Sequence, residues 1–191
     1  MKKILGAIGM LGGLFWVTLA FYPPQCAPVT EASEVLCNRL WSPALLGMGL
    51  GYLGLFLTAL PLLTRTAKFC LIALLVGFAL MFLGNVVEYW MLNDLPHQGP
   101  NSFTRGLAWM TVLLGLLVTQ VASASVGFLG FKARFIPRWL SVFFLLLFPA
   151  TLTAGFIGLH WAGVPLGIVS GAAGFSGLMR DSDKRIQAGT L

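Results

Sequence analysis

The sequence predicts an all-α fold: a polytopic bundle of six transmembrane helices in a single membrane domain, residues 1–191, with both termini in the cytoplasm. Two observations carry this prediction. Apolar stretches of about 20 residues, the length that crosses about 30 Å of hydrocarbon, follow one another along the chain. Basic residues are concentrated in alternate gaps between these stretches. In addition, 9% of the residues are charged, whereas a soluble domain carries about 25%.

The predicted helices cover residues 4–22, 43–63, 69–92, 107–131, 139–159 and 162–179. Helices are expected because every backbone polar group must be satisfied within a membrane span, and the strict alternation of a barrel strand is absent. Prolines mark several boundaries. Pro23 ends the first stretch, Pro43 opens the second, Pro137 precedes the fifth and Pro165 lies in the first turn of the sixth.

The charge distribution orients the bundle. Ten of the twelve basic residues fall at one end: Lys2, Lys3, Arg65, Lys68, Lys132, Arg134, Arg138, Arg180, Lys184 and Arg185. The opposite gaps hold Arg39 and Arg105. Because cytoplasmic loops carry the excess of Lys and Arg, both termini are assigned to the cytoplasm. The net charge of +6 does not predict a nucleic-acid partner, since these residues flank spans rather than form a patch.

The first apolar stretch has a second interpretation, as a signal peptide. It has a basic start, an apolar run and the small residues Thr18 and Ala20 near a conceivable cleavage point. Its length and the lack of a clear A-x-A site favour a retained helix. The other five helices keep their orientation in either case.

Two cysteines, Cys26 and Cys37, share the first outer loop and predict a disulfide, because thiols oxidise on the outer face of a bacterial membrane. Two free thiols are the alternative. A third cysteine, Cys70, lies at the cytoplasmic start of helix three and is expected to stay reduced.

Glycines recur at spacings of three and four residues on three of the predicted helices. They are Gly6, Gly9, Gly12 and Gly13 on helix one, Gly47, Gly51 and Gly54 on helix two, and Gly167, Gly171 and Gly174 on helix six. Small residues at this spacing let membrane helices approach closely. We expect packing within the bundle rather than a homodimer seam.

One acidic residue, Glu88, lies inside a predicted span, near the outer end of helix three, and Asn85 lies on the same face. An intramembrane carboxylate indicates a functional site. We expect Glu88 to turn toward helices five and six, where Thr151, Thr153 and His160 complete a candidate ligand-binding set. The alternative is an interfacial glutamate that reaches water or pairs with Arg39 or Arg105.

Catalytic and cofactor motifs are absent. No serine lies in a G-x-S-x-G elbow, no H-E-x-x-H occurs, and the two histidines lack metal-ligand spacing. The sequence therefore predicts no metal, no cofactor and no catalytic residue, and leaves open whether the protein is an enzyme while favouring that it is not. In helix four, Gln120 is expected to hydrogen-bond to another helix.

The fourth connection reads Gly130-Phe131-Lys132-Ala133-Arg134-Phe135-Ile136-Pro137-Arg138-Trp139. It resembles the Arg-Ala-x-x-x-Pro-Arg-Trp connection of many uncharacterised multi-pass bacterial membrane proteins, with Lys132-Ala133-Arg134 in place of the more usual Leu-Arg-Ala. The resemblance covers helices four to six. It implies a bacterial inner-membrane location and carries no activity.

Two functions are compatible with these features. The first is a non-enzymatic membrane module that binds a partner membrane protein, or a lipid or small apolar ligand, near the outer leaflet. The second is a small transporter or intramembrane enzyme that uses Glu88 as its ionisable group. The short loops leave little machinery outside the bilayer, which favours the first.

Overall fold

The computed structural model describes residues 1–21, 31–93, 95, 100–157 and 163–188. Its regular elements are helices throughout these ranges: α1 (Lys2–Phe21), α2 (Glu31–Ala59), α3 (Arg65–Val86), α4 (Pro100–Ala133), α5 (Arg138–Ile157) and α6 (Val164–Ala188). A 3-10 turn, Leu60–Leu62, follows α2, and a π-helical turn, Val87–Met91, continues α3. The predicted all-α fold is confirmed for the described part of the chain.

Five of the described helices are long and apolar enough to cross a membrane. They are Lys2–Phe21, Asn38–Leu62, Arg65–Met91, Pro100–Ala133 and Arg138–Phe156. The apolar part of α6 is shorter and runs from Val164 to Met179. Many large apolar side chains point outward along these helices, as expected where lipid rather than water surrounds a bundle. The protein is a membrane protein.

The second and fourth helices begin earlier than their sequence predicted. Pro43 does not open α2 but lies inside it, twelve residues after its first residue, Glu31. Pro43 has no N–H to donate to the carbonyl of Arg39, yet the helix continues through it, as membrane helices can. The fourth helix begins at Pro100, so Arg105 lies within it rather than in a loop.

The helices form a closed ring in which successive helices pack antiparallel, and α6 closes on α1 and α2. As a result, the ends of α1 and α6 that are nearest the chain termini lie together. This end also holds the α2–α3 and α4–α5 connections, and we call it the basic end. The opposite end, where α2 and α4 begin and α3 finishes, is the far end.

The glycines of α1 place it between α2 and α6. A Cβ on Gly12 would lie 2.8 Å from the carbonyl carbon of Gly47, and one on Gly13 would lie 2.5 Å from the carbonyl oxygen of Gly167. Backbone therefore contacts backbone on two faces of α1. The prediction that these glycines pack within the bundle is confirmed.

The centre of the bundle is filled by aromatic side chains. The ring of Tyr52 lies 4.9 Å from that of Phe78 and 5.9 Å from that of Phe144, measured between centroids. All three are at most 2% exposed. The hydroxyls of Tyr52 and Ser170 are hydrogen-bonded at 3.2 Å, which ties α2 to α6 at this level.

Candidate functional site

The α3 helix ends at the far end in a π-helical turn. Its geometry is seen in the Leu92 amide, which donates to the Val87 carbonyl five residues earlier at 3.1 Å. Such turns are rare in proteins, and those that do occur are often found at functional sites. Glu88 lies in this turn and is 8% exposed. The sequence placed this carboxylate near the end of the helix, and the structure shows it buried.

A hydrogen-bonded chain joins this turn to α2. The Ser42 hydroxyl donates to Asn85 Oδ1 at 2.5 Å, and the Trp90 indole N–H donates to Ser42 Oγ at 3.1 Å. Both Ser42 and Asn85 are buried, at 4% and 3% exposure. Since a buried polar group without a partner costs about 1–3 kcal/mol, these bonds fix the α2–α3 contact in one arrangement.

Two arginines donate to backbone carbonyls, one within this turn and the other just after it. Arg39 of α2 donates from Nε to the Tyr89 carbonyl at 2.7 Å, and its guanidinium lies 5.6 Å from the centre of the Trp90 ring. Arg105 of α4 donates from Nη2 to the Leu92 carbonyl, and to those of Asn93 and Leu95 at 3.2 Å each. Positive groups at a helix C-terminus satisfy its last carbonyls and interact favourably with the helix dipole.

Together these residues form the far-end cluster: Asn38, Arg39 and Ser42 of α2, Asn85, Glu88 and Trp90 of α3, and Arg105 of α4. Asn38 is buried one turn before Ser42. The cluster offers a buried carboxylate, amides, fixed guanidinium groups and an indole, which suit recognition by hydrogen bonds. No group of three His, Cys, Asp or Glu side chains that could hold a metal occurs within the described ranges.

The structure separates the residues that the sequence grouped. Asn85 and Glu88, predicted to share a face of α3, are both buried, as are Gly77 and Gly84. The π-helical turn packs against α2 and α4, whereas the sequence analysis expected Glu88 to turn toward helices five and six. The reason is that α2 extends further than predicted and reaches the end of α3.

The two threonines of the predicted set lie on α5. Thr151 accepts a hydrogen bond from Gln120 Nε2 at 3.1 Å, which confirms the predicted bond of Gln120 to another helix. The exposed Thr153 donates to the carbonyl of Pro149 in its own helix at 2.9 Å. His160 lies outside the described residues. So does the predicted disulfide, because Cys26 and the side chain of Cys37 fall outside them.

Ser42, the hydrogen-bond partner of Asn85, was not among the predicted site residues. Asn38 and Ser42 were assigned to a loop because Pro43 was taken as the start of helix two. Arg39 and Arg105 did carry a signal, since they are the two basic residues that depart from the charge asymmetry. Both arginines donate to backbone carbonyls near the end of α3.

Comparison with known proteins identifies no relative of this chain. No protein-family model matches the chain, and no curated protein or solved structure matches it.

Proposed function

We propose that this chain is a six-pass protein of a bacterial inner membrane, with both termini in the cytoplasm and the far end at the outer face. The ten basic residues of the basic end support this orientation. The apolar part of α6, which packs antiparallel to α1, serves as the sixth crossing. The connection before Trp139 supports the bacterial location through its resemblance to other multi-pass proteins.

Its function is that of a non-enzymatic module that binds a partner membrane protein at the outer leaflet through the far-end cluster. The observation that carries this proposal is the π-helical turn with buried Glu88, in which Arg39 binds the carbonyl of Tyr89 and after which Arg105 binds the carbonyls that follow. An ionisable group within a membrane span is expensive and is kept for function, and a π-helical turn is a second mark of such a site.

The surface of the cluster favours a protein partner. The side chain of Trp90 is 55% exposed although its N–H is bonded to Ser42, and that of Met91 is 66% exposed. Binding hot spots are enriched in Trp, and Met adapts to the shape of a partner. Because the ring of Trp90 is already oriented, little side-chain entropy is lost on binding. A lipid or small apolar ligand is the alternative occupant.

The aromatic centre argues against transport. The rings of Tyr52, Phe78 and Phe144 lie between the far-end cluster and the basic end and are almost fully buried. A transporter or intramembrane enzyme that uses Glu88 is the alternative function, and it requires these rings to separate. A binding module needs no such movement.

Photocrosslinking in intact cells tests the proposal. A benzophenone amino acid at Met91 should give a discrete adduct with one integral membrane protein. Trp90→Phe removes the indole donor and should reduce this adduct about fivefold, as expected for loss of about 1 kcal/mol. Trp109→Phe is the matched control, since Trp109 of α4 is similarly exposed and lies outside the cluster.

The outcomes separate the alternatives. Adducts with lipid alone would favour the lipid-binding alternative. Equal adducts in both tryptophan variants would remove the cluster from recognition. Solute or proton flux in proteoliposomes that is lost in Glu88→Gln would replace the binding function by transport.

A further inference from the structure

A groove of about 510 Å³ lies at the basic end, between the α4–α5 connection and α6. Its lining combines two arginines with an apolar wall, and comprises Arg134, Ile136, Pro137, Arg138, Trp139, Phe175, Ser176 and Met179. The groove belongs to a different end of the molecule from the far-end cluster. Its function is therefore independent of the function proposed above.

Positive charge is concentrated at the rim of the groove. The side chains of Arg134 and Arg138 are both exposed. In the first backbone hydrogen bond of α5, the Ser141 amide donates to the Pro137 carbonyl at 3.0 Å. The amides that precede Ser141 in the first turn therefore have no acceptor within the helix. Two guanidinium groups and a helix N-terminus thus lie beside one cavity, and each of them favours an anion.

The backbone of Arg134 gives a separate indication. Its φ is 54°, in the left-handed region, and its amide donates to the Gly130 carbonyl at 2.8 Å to finish α4. Glycine usually occupies this position after a helix because it has no Cβ to clash. An arginine at a position that glycine would fill without strain suggests that its side chain is needed.

The wall of the groove below this rim is apolar and open. The side chains of Trp139, Phe175 and Met179 are 44%, 45% and 55% exposed. Trp139 is held by an edge contact with the ring of Phe143, with 5.9 Å between centroids. A cationic rim above an apolar wall matches a molecule with an anionic head and hydrocarbon chains, as basic pockets between membrane helices do for anionic lipids.

We propose that this groove binds an anionic glycerophospholipid. Its phosphodiester lies between Arg134, Arg138 and the first turn of α5, and its acyl chains run along Trp139, Phe175 and Met179. The site requires both parts of the ligand, because the arginines recognise the charge and the apolar wall holds the chains. It disfavours zwitterionic lipids, because their ammonium group adds a positive charge beside the two guanidinium groups.

Native mass spectrometry of the detergent-purified protein, titrated with phosphatidylglycerol or phosphatidylcholine, tests the proposal. The wild type should retain one phosphatidylglycerol in preference to phosphatidylcholine. Arg134→Gly/Arg138→Gln should weaken this retention roughly 25-fold, about fivefold for each arginine. Arg65→Gln/Lys68→Gln removes the same charge from the same end, outside the groove, and should retain the lipid.

Arg134→Gly alone keeps the proposal testable if the double variant folds poorly. It relieves the left-handed strain, so it should raise the thermal midpoint of the lipid-free protein while it lowers lipid retention about fivefold. Phe175→Ala should also lower retention without a change in charge. Equal losses in the groove and control variants would indicate general surface attraction and overturn the proposal. Displacement of the lipid by millimolar inorganic phosphate would also overturn it, since it would show an anion site that needs no acyl chains.

Discussion

The packing of α1 can be tested by a single methyl group. In Gly13→Ala the new Cβ would lie 2.5 Å from both the Gly167 carbonyl oxygen and the Gly171 amide nitrogen. These atoms belong to the backbone of α6 and cannot rotate away. The helices must therefore separate by roughly 1 Å, to the ordinary contact distance of about 3.5–4.0 Å, and the separation also disturbs neighbouring glycine contacts.

The expected loss follows from two opposing terms. Overpacking a well-filled interface costs about 1–3 kcal/mol, and the rigid backbone on both sides places Gly13 at the upper end. Alanine is favoured over glycine in a helix by about 1 kcal/mol. The net loss is about 2 kcal/mol. For a chain of this size that corresponds to a fall in the thermal midpoint of roughly 4–8 °C.

Thermal unfolding in detergent, followed by fluorescence-detected size-exclusion chromatography, measures this shift. Gly106→Ala is the matched control, because a Cβ there has no atom within 4 Å. Gly106→Ala should gain only the higher helix propensity of alanine, and it should therefore raise the thermal midpoint by roughly 2–4 °C. A Gly13→Ala midpoint equal to that of the wild type, or raised like the control, would refute the close α1–α6 contact. An unchanged midpoint would also be expected if α1 were cleaved as a signal peptide.

Three further predictions address topology, the outer loop and the far-end cluster. A cysteine in place of His97 should react with an impermeant maleimide in intact cells, whereas one in place of Asp183 should react only after permeabilisation; the reverse pattern would invert the bundle. Cys26 and Cys37 should resist alkylation in non-reduced protein, and their reduction should cost roughly 2–3 kcal/mol; two freely alkylated thiols would remove the disulfide. Glu88→Gln should preserve the fold and change partner binding, whereas Glu88→Leu should also destabilise by about 1–3 kcal/mol, because it leaves buried neighbours without a partner. Full tolerance of both changes would indicate an interfacial glutamate without a binding role.

The fold was predictable to the extent that it depends on hydrophobicity and on small residues. Apolar length located the helices, and glycine spacing identified the faces of α1 that contact Gly47 and Gly167. Helix ends were less predictable at the far end. Pro43 normally marks a boundary, but a membrane helix continues through proline when its neighbours satisfy the freed carbonyl. The early start of α2 therefore depended on tertiary contacts that no local pattern records.

Glu88 and Asn85 of the candidate site could be predicted from the sequence, whereas the helices that pack around them could not. Glu88 stood out because a carboxylate in an apolar stretch is rare, and the three-residue spacing to Asn85 placed both on one face. The sequence does not say which helix meets that face. Order along the chain suggested α5 and α6, whereas the ring of helices places α2 and α4 there. The π-helical turn was likewise not among the sequence predictions.

The two arginines of the far end connect topology to the site. Each is an exception to the charge asymmetry on which the proposed orientation rests. Each also donates to carbonyls at the end of α3, where the negative end of the helix dipole offsets its charge. The same contacts fix the turn that holds Glu88 and orient Trp90 through the guanidinium of Arg39. The departure from the charge rule is therefore best explained by the need to hold the far-end cluster rigid, and Arg39 and Arg105 are positioning residues for the binding site proposed there.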